Sequence, residues 1–229
     1  MAISPIRFVQ YALYRFLHWN PVLAAFIVRD EWRGERKYQL DTFAQDDLQA
    51  QAVTGQNKAF ATVYEGASYY LLEKVLAQLH PEPGDMLADI GCGKGRALCV
   101  AAHFGFRQVA GIDFSEPFCT LARKNLQHTT AICPAPLTYE VHHADALEWP
   151  FPVALNYFFL FNPFGEAVMR PFIQRVIAHA YQARKKITVV YLSPVYKTLF
   201  IESGFTETFG VQKYELLEGT ILEFQPDLT

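Results

Sequence analysis

From about residue 66 onward, short apolar runs of strand length alternate with stretches whose apolar residues recur at helical spacing. This alternation constrains the fold more than any other feature of the chain. MLADIG (86–91), QVAGID (108–113), LTYEVHHAD (137–145), LNYFFLFN (155–162) and KITVVYLS (186–193) read as strands. SYYLLEKVLAQLH (68–80), RALCVAAHFG (96–105), EPFCTLARKNLQ (116–127), RPFIQRVIAHAYQAR (170–184) and TLFIESG (198–204) read as helices, with Pro171 suited to a first helical turn. Strands that alternate with helices imply a parallel sheet covered on both faces, a three-layer α/β arrangement. TETFGVQKYE (206–215) and GTILEFQ (219–225) follow without a helix between them and predict a C-terminal antiparallel hairpin.

Ligands of such sheets bind at the carboxyl ends of the strands. Here those ends carry Asp89, Asp113, Asp145 and Asn162. The first is followed by DIGCGKGR (89–96), where Gly91, Gly93 and Gly95 allow a tight turn and close approach of backbone to a ligand. The helix after the loop offers free N–H groups to a negative group. A dinucleotide fingerprint needs glycine where this chain has Arg96, and a P-loop needs Ser or Thr where it has Gly95.

What remains, D-x-G-x-G-x-G with an acid ending the next strand, resembles the class I methyltransferases that use S-adenosylmethionine, over roughly residues 60–229. The resemblance implies a Rossmann-like methyltransferase sheet with S-adenosyl-L-methionine as cofactor. It implies that Gly91, Gly93 and Gly95 line the methionine part, that Asp89 orders the loop, and that Asp113 clamps the ribose hydroxyls. Phe114 would pack on adenine, and Asp145, with Ala146 beside it, would read the adenine amino group. Tyr64 and Glu65, in VYEGAS (63–68), match a Tyr-Glu-Pro-Thr-like element that folds over the cofactor, although Gly66 and Ala67 replace its last two residues.

The fourth strand, FFLF, ends in NPFG (162–165), which resembles the Asp/Asn/Ser-Pro-Pro-aromatic step of amine-directed members without its second proline. Asn162, Pro163 and Phe164 are therefore the expected catalytic set: an amide oxygen and a backbone carbonyl to accept amine hydrogens, and a ring to stack on or wall off the substrate. The layout is similar to a bacterial group with a Gly-Lys-Gly-Arg loop and an Asn-Pro-Phe strand end, and more loosely to seven-strand protein-lysine methyltransferases. A protein amine such as lysine is the first expectation, ahead of a nucleic-acid base or a small molecule. A lysine must lose a proton before it attacks, and Glu65, Tyr64, Tyr191 and His143 stand as candidate helpers. A cofactor-binding partner subunit without transfer activity is the alternative from another class.

A formal charge of -3 on 229 residues argues against a surface that grips nucleic acid through phosphates alone. Cys92, Cys99, Cys119 and Cys133 form no CxxC pair and no metal-ligand spacing with the histidines, so reduced cytoplasmic thiols and no metal are expected. Residues 1–60 read as a helical extension and connector, and 61–229 as the methyltransferase domain. Residues 3–28 contain no acid. On a helical wheel Arg7, Gln10, Tyr14, Arg15 and His18 share one face, while Ile6, Val9, Leu13, Phe16 and Leu17 lie elsewhere. The stretch is too short to span a bilayer. Two readings of 5–28 stay open: packing on the domain or on a second subunit, or lying on an anionic membrane. The Gln-rich stretch 39–60 reads as a connecting segment.

Overall fold

A computed structural model describes residues 5–18, 20–43 and 66–228. Two N-terminal helices, α1 (Pro5–His18) and α2 (Pro21–Tyr38), precede α3 (Tyr69–Leu76). Strands and helices then alternate as β1 (Met86–Ile90), α4 (Arg96–His103), β2 (Gln108–Asp113), α5 (Glu116–Ile132) and β3 (Thr138–His143). They continue through β4 (Leu155–Phe161), α6 (Glu166–Ala183), β5 (Ile187–Leu192) and α7 (Lys197–Glu202) to the hairpin β6 (Thr206–Lys213) and β7 (Leu217–Phe224). The strands form one seven-stranded sheet in the order β3-β2-β1-β4-β5-β7-β6. The first five are parallel, and β7 runs antiparallel to both β5 and β6.

Every residue of β1 and β5 is buried, because helices cover both faces of the sheet. Successive side chains still alternate. Met86, Ala88 and Ile90 pack with α6, whereas Leu87 packs with α3 and α4. In β4 Phe158 and Leu160 point to the α6 side and Phe159 to the other. The chain order reverses between β1 and β4, so a crevice opens at their carboxyl ends.

Helix α6 starts at Glu166, which corrects the expectation that Pro171 lies in the first helical turn: Pro171 sits inside the helix. It is solvent-facing, so the carbonyl left without an amide partner lies near water. An ion pair one turn apart, Arg170 to Glu166, ties the start of the helix.

The N-terminal pair is joined to the sheet domain by charge and by ring packing. In α2, Gly34 lets the Tyr69 ring lie against the helix backbone, where any Cβ would collide with it. Tyr69 in turn stacks on Tyr38, with ring centroids 5.7 Å apart. Asp30 accepts from Ser68 Oγ and from the backbone N–H of Tyr70, at the positive end of α3. Glu73 of α3 accepts from Arg33, Lys37 and Tyr38 of α2. In α1 the face that bears Gln10 and Arg15 divides, with Gln10 exposed and Arg15 turned inward. Arg15 is buried against the Tyr11 ring, and Tyr11 senses Glu31 of α2, while Val9, Leu13, Phe16 and Leu17 face solvent. None of the described helices is long and apolar enough to cross a membrane.

Candidate functional site

The loop between β1 and α4 turns through three left-handed glycines, Gly91 (φ 82°), Gly93 (φ 50°) and Gly95 (φ 79°). Space compounds the need for glycine. A Cβ at 91 would lie 3.1 Å from Cβ of Pro163, and one at 95 would lie 3.1 Å from Cβ of Ala122 in α5. The loop therefore passes directly beneath the Asn-Pro-Phe step at the end of β4.

Asp113, at the end of β2, holds the loop. Its Oδ2 accepts from the N–H of Gly93 at 2.8 Å and its Oδ1 from the N–H of Ser115 at 2.8 Å. Each oxygen keeps a lone pair for a further donor. Burial pushes its carboxyl above the usual range, and the two N–H groups oppose the rise. Asp89 lies deeper. Burial first, and the neighbouring Asp113 second, push its carboxyl well above the usual range. The loop amide is thus held by Asp113, and Asp89 contributes a buried acid behind it.

A cleft with about 600 Å³ of empty space, open to solvent, lies in front of this loop. Gly91, Ile112, Asp113 and Phe114 line one side; Ala144, Asp145 and Ala146 the next; Pro163, Phe164 and Val168 the last. Seven of the residues singled out from the sequence meet in this one space: Gly91, Asp113, Phe114, Asp145, Ala146, Pro163 and Phe164. Asp145 accepts from the N–H of Leu147 and so shapes its own turn. Phe164 is held edge-on by Phe172 of α6, at 5.4 Å between centroids.

Asn162 stands at the exposed rim in a left-handed conformation (φ 43°), which asparagine tolerates better than most residues. Its neighbour across the sheet repeats the pattern. Phe161 pairs with Leu192, so Ser193 lies beside Asn162; it too is left-handed (φ 47°) and precedes a proline.

The candidate proton acceptors separate. His143 donates to the backbone carbonyl of Phe114, and β3 lies three strand spacings, roughly 14 Å, from β4. Burial pushes the Tyr191 phenol up to about 12, and its oxygen accepts from the N–H of Tyr196. Neither group suits deprotonation of a substrate at Asn162. Tyr64 and Glu65 lie outside the described residues.

Three residues carry more of the site than their sequence context suggests. Arg175 of α6 donates to the carbonyls of Ala146 and Trp149 and so pins the loop that bears Asp145. Ser193 could have been found from the repeated polar-proline step at adjacent strand ends. Arg96, which in the sequence only excludes a dinucleotide loop, is buried and uses all five N–H groups. It pairs bidentately with Glu31 at 2.7 Å and reaches Glu35, Thr42 Oγ1 and the carbonyl of Ala67. Its guanidinium lies over the Tyr69 ring at 4.4 Å. A Cβ at Gly66 would land on that guanidinium. Gly66, where the resembling family has proline, is therefore the space Arg96 occupies. Among the described residues no cluster of His, Cys, Asp and Glu is placed to hold a metal.

Residues 87–186 match a family model described as a methyltransferase domain. A Pyrococcus horikoshii protein proposed to methylate RNA aligns over 87% of this chain and 97% of its own, with TM-score 0.55 and 18% identity. An RNA methyltransferase from Salinibacter ruber, in complex with S-adenosyl-L-homocysteine, aligns over 72% and 97%, with TM-score 0.52 and 15% identity. Magnesium protoporphyrin IX methyltransferase from Synechocystis, with bound S-adenosylmethionine, aligns over 70% and 85%, with TM-score 0.50 and 16% identity. No curated protein matches the chain. The three solved structures share the fold at low identity, and the matched segment holds the glycine loop, Asp113 and the β4 rim. Residues 87–186 are thus similar to a methyltransferase domain, and the seven-stranded sheet has the Rossmann-like fold of these solved methyltransferases.

Proposed function

We propose that the chain is an S-adenosylmethionine-dependent methyltransferase that acts on nitrogen, with a protein amine such as a lysine side chain as its substrate. The observation that carries the reading is Asn162: an amide held in left-handed backbone, followed by Pro163, directly above the glycine loop.

The cleft suits the cofactor on its own geometry, since the three glycines leave a cradle that Cβ atoms would fill and Asp113 keeps lone pairs for two vicinal hydroxyls. In this reading Gly91, Gly93 and Gly95 hold the methionine part and Asp89, buried behind the loop, keeps it in order. Asp113 takes the ribose, Phe114 and Ala146 flank the adenine, and Asp145 meets its amino group. When bound, S-adenosylmethionine supplies an electrophilic methyl on a sulfonium. The remaining work is positional: the Asn162 oxygen and a nearby backbone carbonyl accept amine hydrogens and aim the lone pair, while Pro163 and Phe164 exclude water.

Asn162→Ala is expected to lower kcat on the order of a hundredfold, the scale of a misplaced nucleophile, while binding S-adenosylhomocysteine like wild type. Transfer of labelled methyl into cell extract tests the substrate class. Label removed by protease supports a protein amine. Label removed by nuclease and resistant to protease overturns it in favour of a base, and full activity in the Asn162 variant removes Asn162 from the mechanism.

A further inference from the structure

The exposed surface of the α1–α2 pair has an unusual composition. Val9, Leu13, Phe16 and Leu17 recur at helical spacing along one side of α1, and all are about half exposed or more, Leu17 reaching 79%. On α2, Val22 and Trp32 are exposed as well, at 64% and 47%. Among the described side chains of residues 8–40 the exposed charges are Arg29, Arg36 and Lys37, the last of them paired with Glu73 of α3. The acids in that stretch, Asp30, Glu31 and Glu35, are all buried, committed to Ser68, Tyr70, Arg96 and Thr42. In a chain with net charge -3, the described side chains of this pair thus expose apolar groups and cations but no acid.

From this we propose that the α1–α2 pair docks on a lipid bilayer bearing anionic headgroups, with Leu13, Phe16 and Leu17 in the acyl boundary and Arg29 and Arg36 at the phosphates. The chemistry selects this occupant. Aliphatic side chains at i, i+4 and i+8 match acyl chains, and exposed arginines on the helix packed against them match anionic headgroups. Trp32, with Arg36 over its ring at 4.6 Å, is the amphipathic kind of side chain that settles at headgroup depth. A second copy on the same face would bring like cations together across a two-fold axis, with no exposed acid of the pair to meet them. Nucleic acid would answer the cations but leave Val9, Leu13, Leu17 and Val22 against a polar backbone. The proposal is independent of the methyl acceptor.

Flotation of the full chain with phosphatidylcholine vesicles, with and without phosphatidylglycerol, tests it. Wild type is expected to float with the phosphatidylglycerol vesicles and much less with phosphatidylcholine alone. Leu13→Glu/Leu17→Glu is expected to lose vesicle binding roughly tenfold or more. Both positions are solvent-facing, so thermal unfolding and S-adenosylhomocysteine affinity should match wild type. Arg29→Glu/Arg36→Glu should remove the preference for phosphatidylglycerol. Absence of flotation, or equal flotation of the leucine variant, overturns the proposal. So does a wild-type dimer in sedimentation velocity that the leucine variant splits without any vesicle binding, or retention on RNA in place of vesicles.

Discussion

Arg96 shows how one side chain can join two parts of a chain. A buried guanidinium loses several kcal/mol of hydration, and only a full set of partners offsets that loss. Here five N–H groups meet Glu31, Glu35, Thr42 and Ala67, and Tyr69 closes the face. Because α4 begins at this residue, the same contacts fix the end of the glycine loop. Lysine keeps the charge but not the planar fork. Arg96→Lys is expected to lower unfolding free energy by about 3 kcal/mol, the scale of a broken buried pair, in urea melts. Weaker S-adenosylhomocysteine binding should accompany it in calorimetry. Glu31 is the residue most exposed to the loss, since burial already pushes its carboxyl up and Arg96 is what opposes the rise.

Helices and strands differ in how plainly the chain announces them. The strand ends are legible to within a residue or two, because apolar runs stop where an acid or amide begins: Asp113 at β2, Asn162 after β4. The cleft residues followed from those ends, since a parallel sheet with this order collects them at one edge. The start of α6 was not legible, as proline is a first-turn signal and the true start at Glu166 carries no side-chain cap. The burial of Arg15 was hidden for another reason. Arg15 packs on the Tyr11 ring where α1 meets α2, and a helical wheel of α1 alone cannot include the second helix. Pro171 yields a prediction at this scale. It removes one amide from the interior of α6 on an exposed face, so Pro171→Ala is expected to raise stability by about 1–3 kcal/mol, read from the urea midpoint.

For the molecule as a whole, one acid lines the cleft, Asp113, and a second, Asp89, lies deeper, and both are pushed upward by burial. An acid whose native pKa is raised contributes its stability fully below the ordinary carboxylate value of about 4, and loses it as pH rises through the native value. The unliganded protein should therefore lose stability from mildly acidic towards alkaline pH. Asp89→Asn should flatten that profile and be the more stable form at alkaline pH by about 0.5–2 kcal/mol, an advantage that shrinks on acidification. Urea unfolding across the pH series measures both slopes; identical slopes remove Asp89 from the account. The Gly66–Arg96 contact has a further consequence, for the history open to the sequence. A side chain can enter position 66 only after Arg96 has withdrawn, and its withdrawal strands Glu31 and Glu35 in the interior. Exchanging this arrangement for a proline at 66 therefore requires changes at four distant positions, each harmful when made alone. The chain is held in its present form by the order in which substitutions would have to arrive.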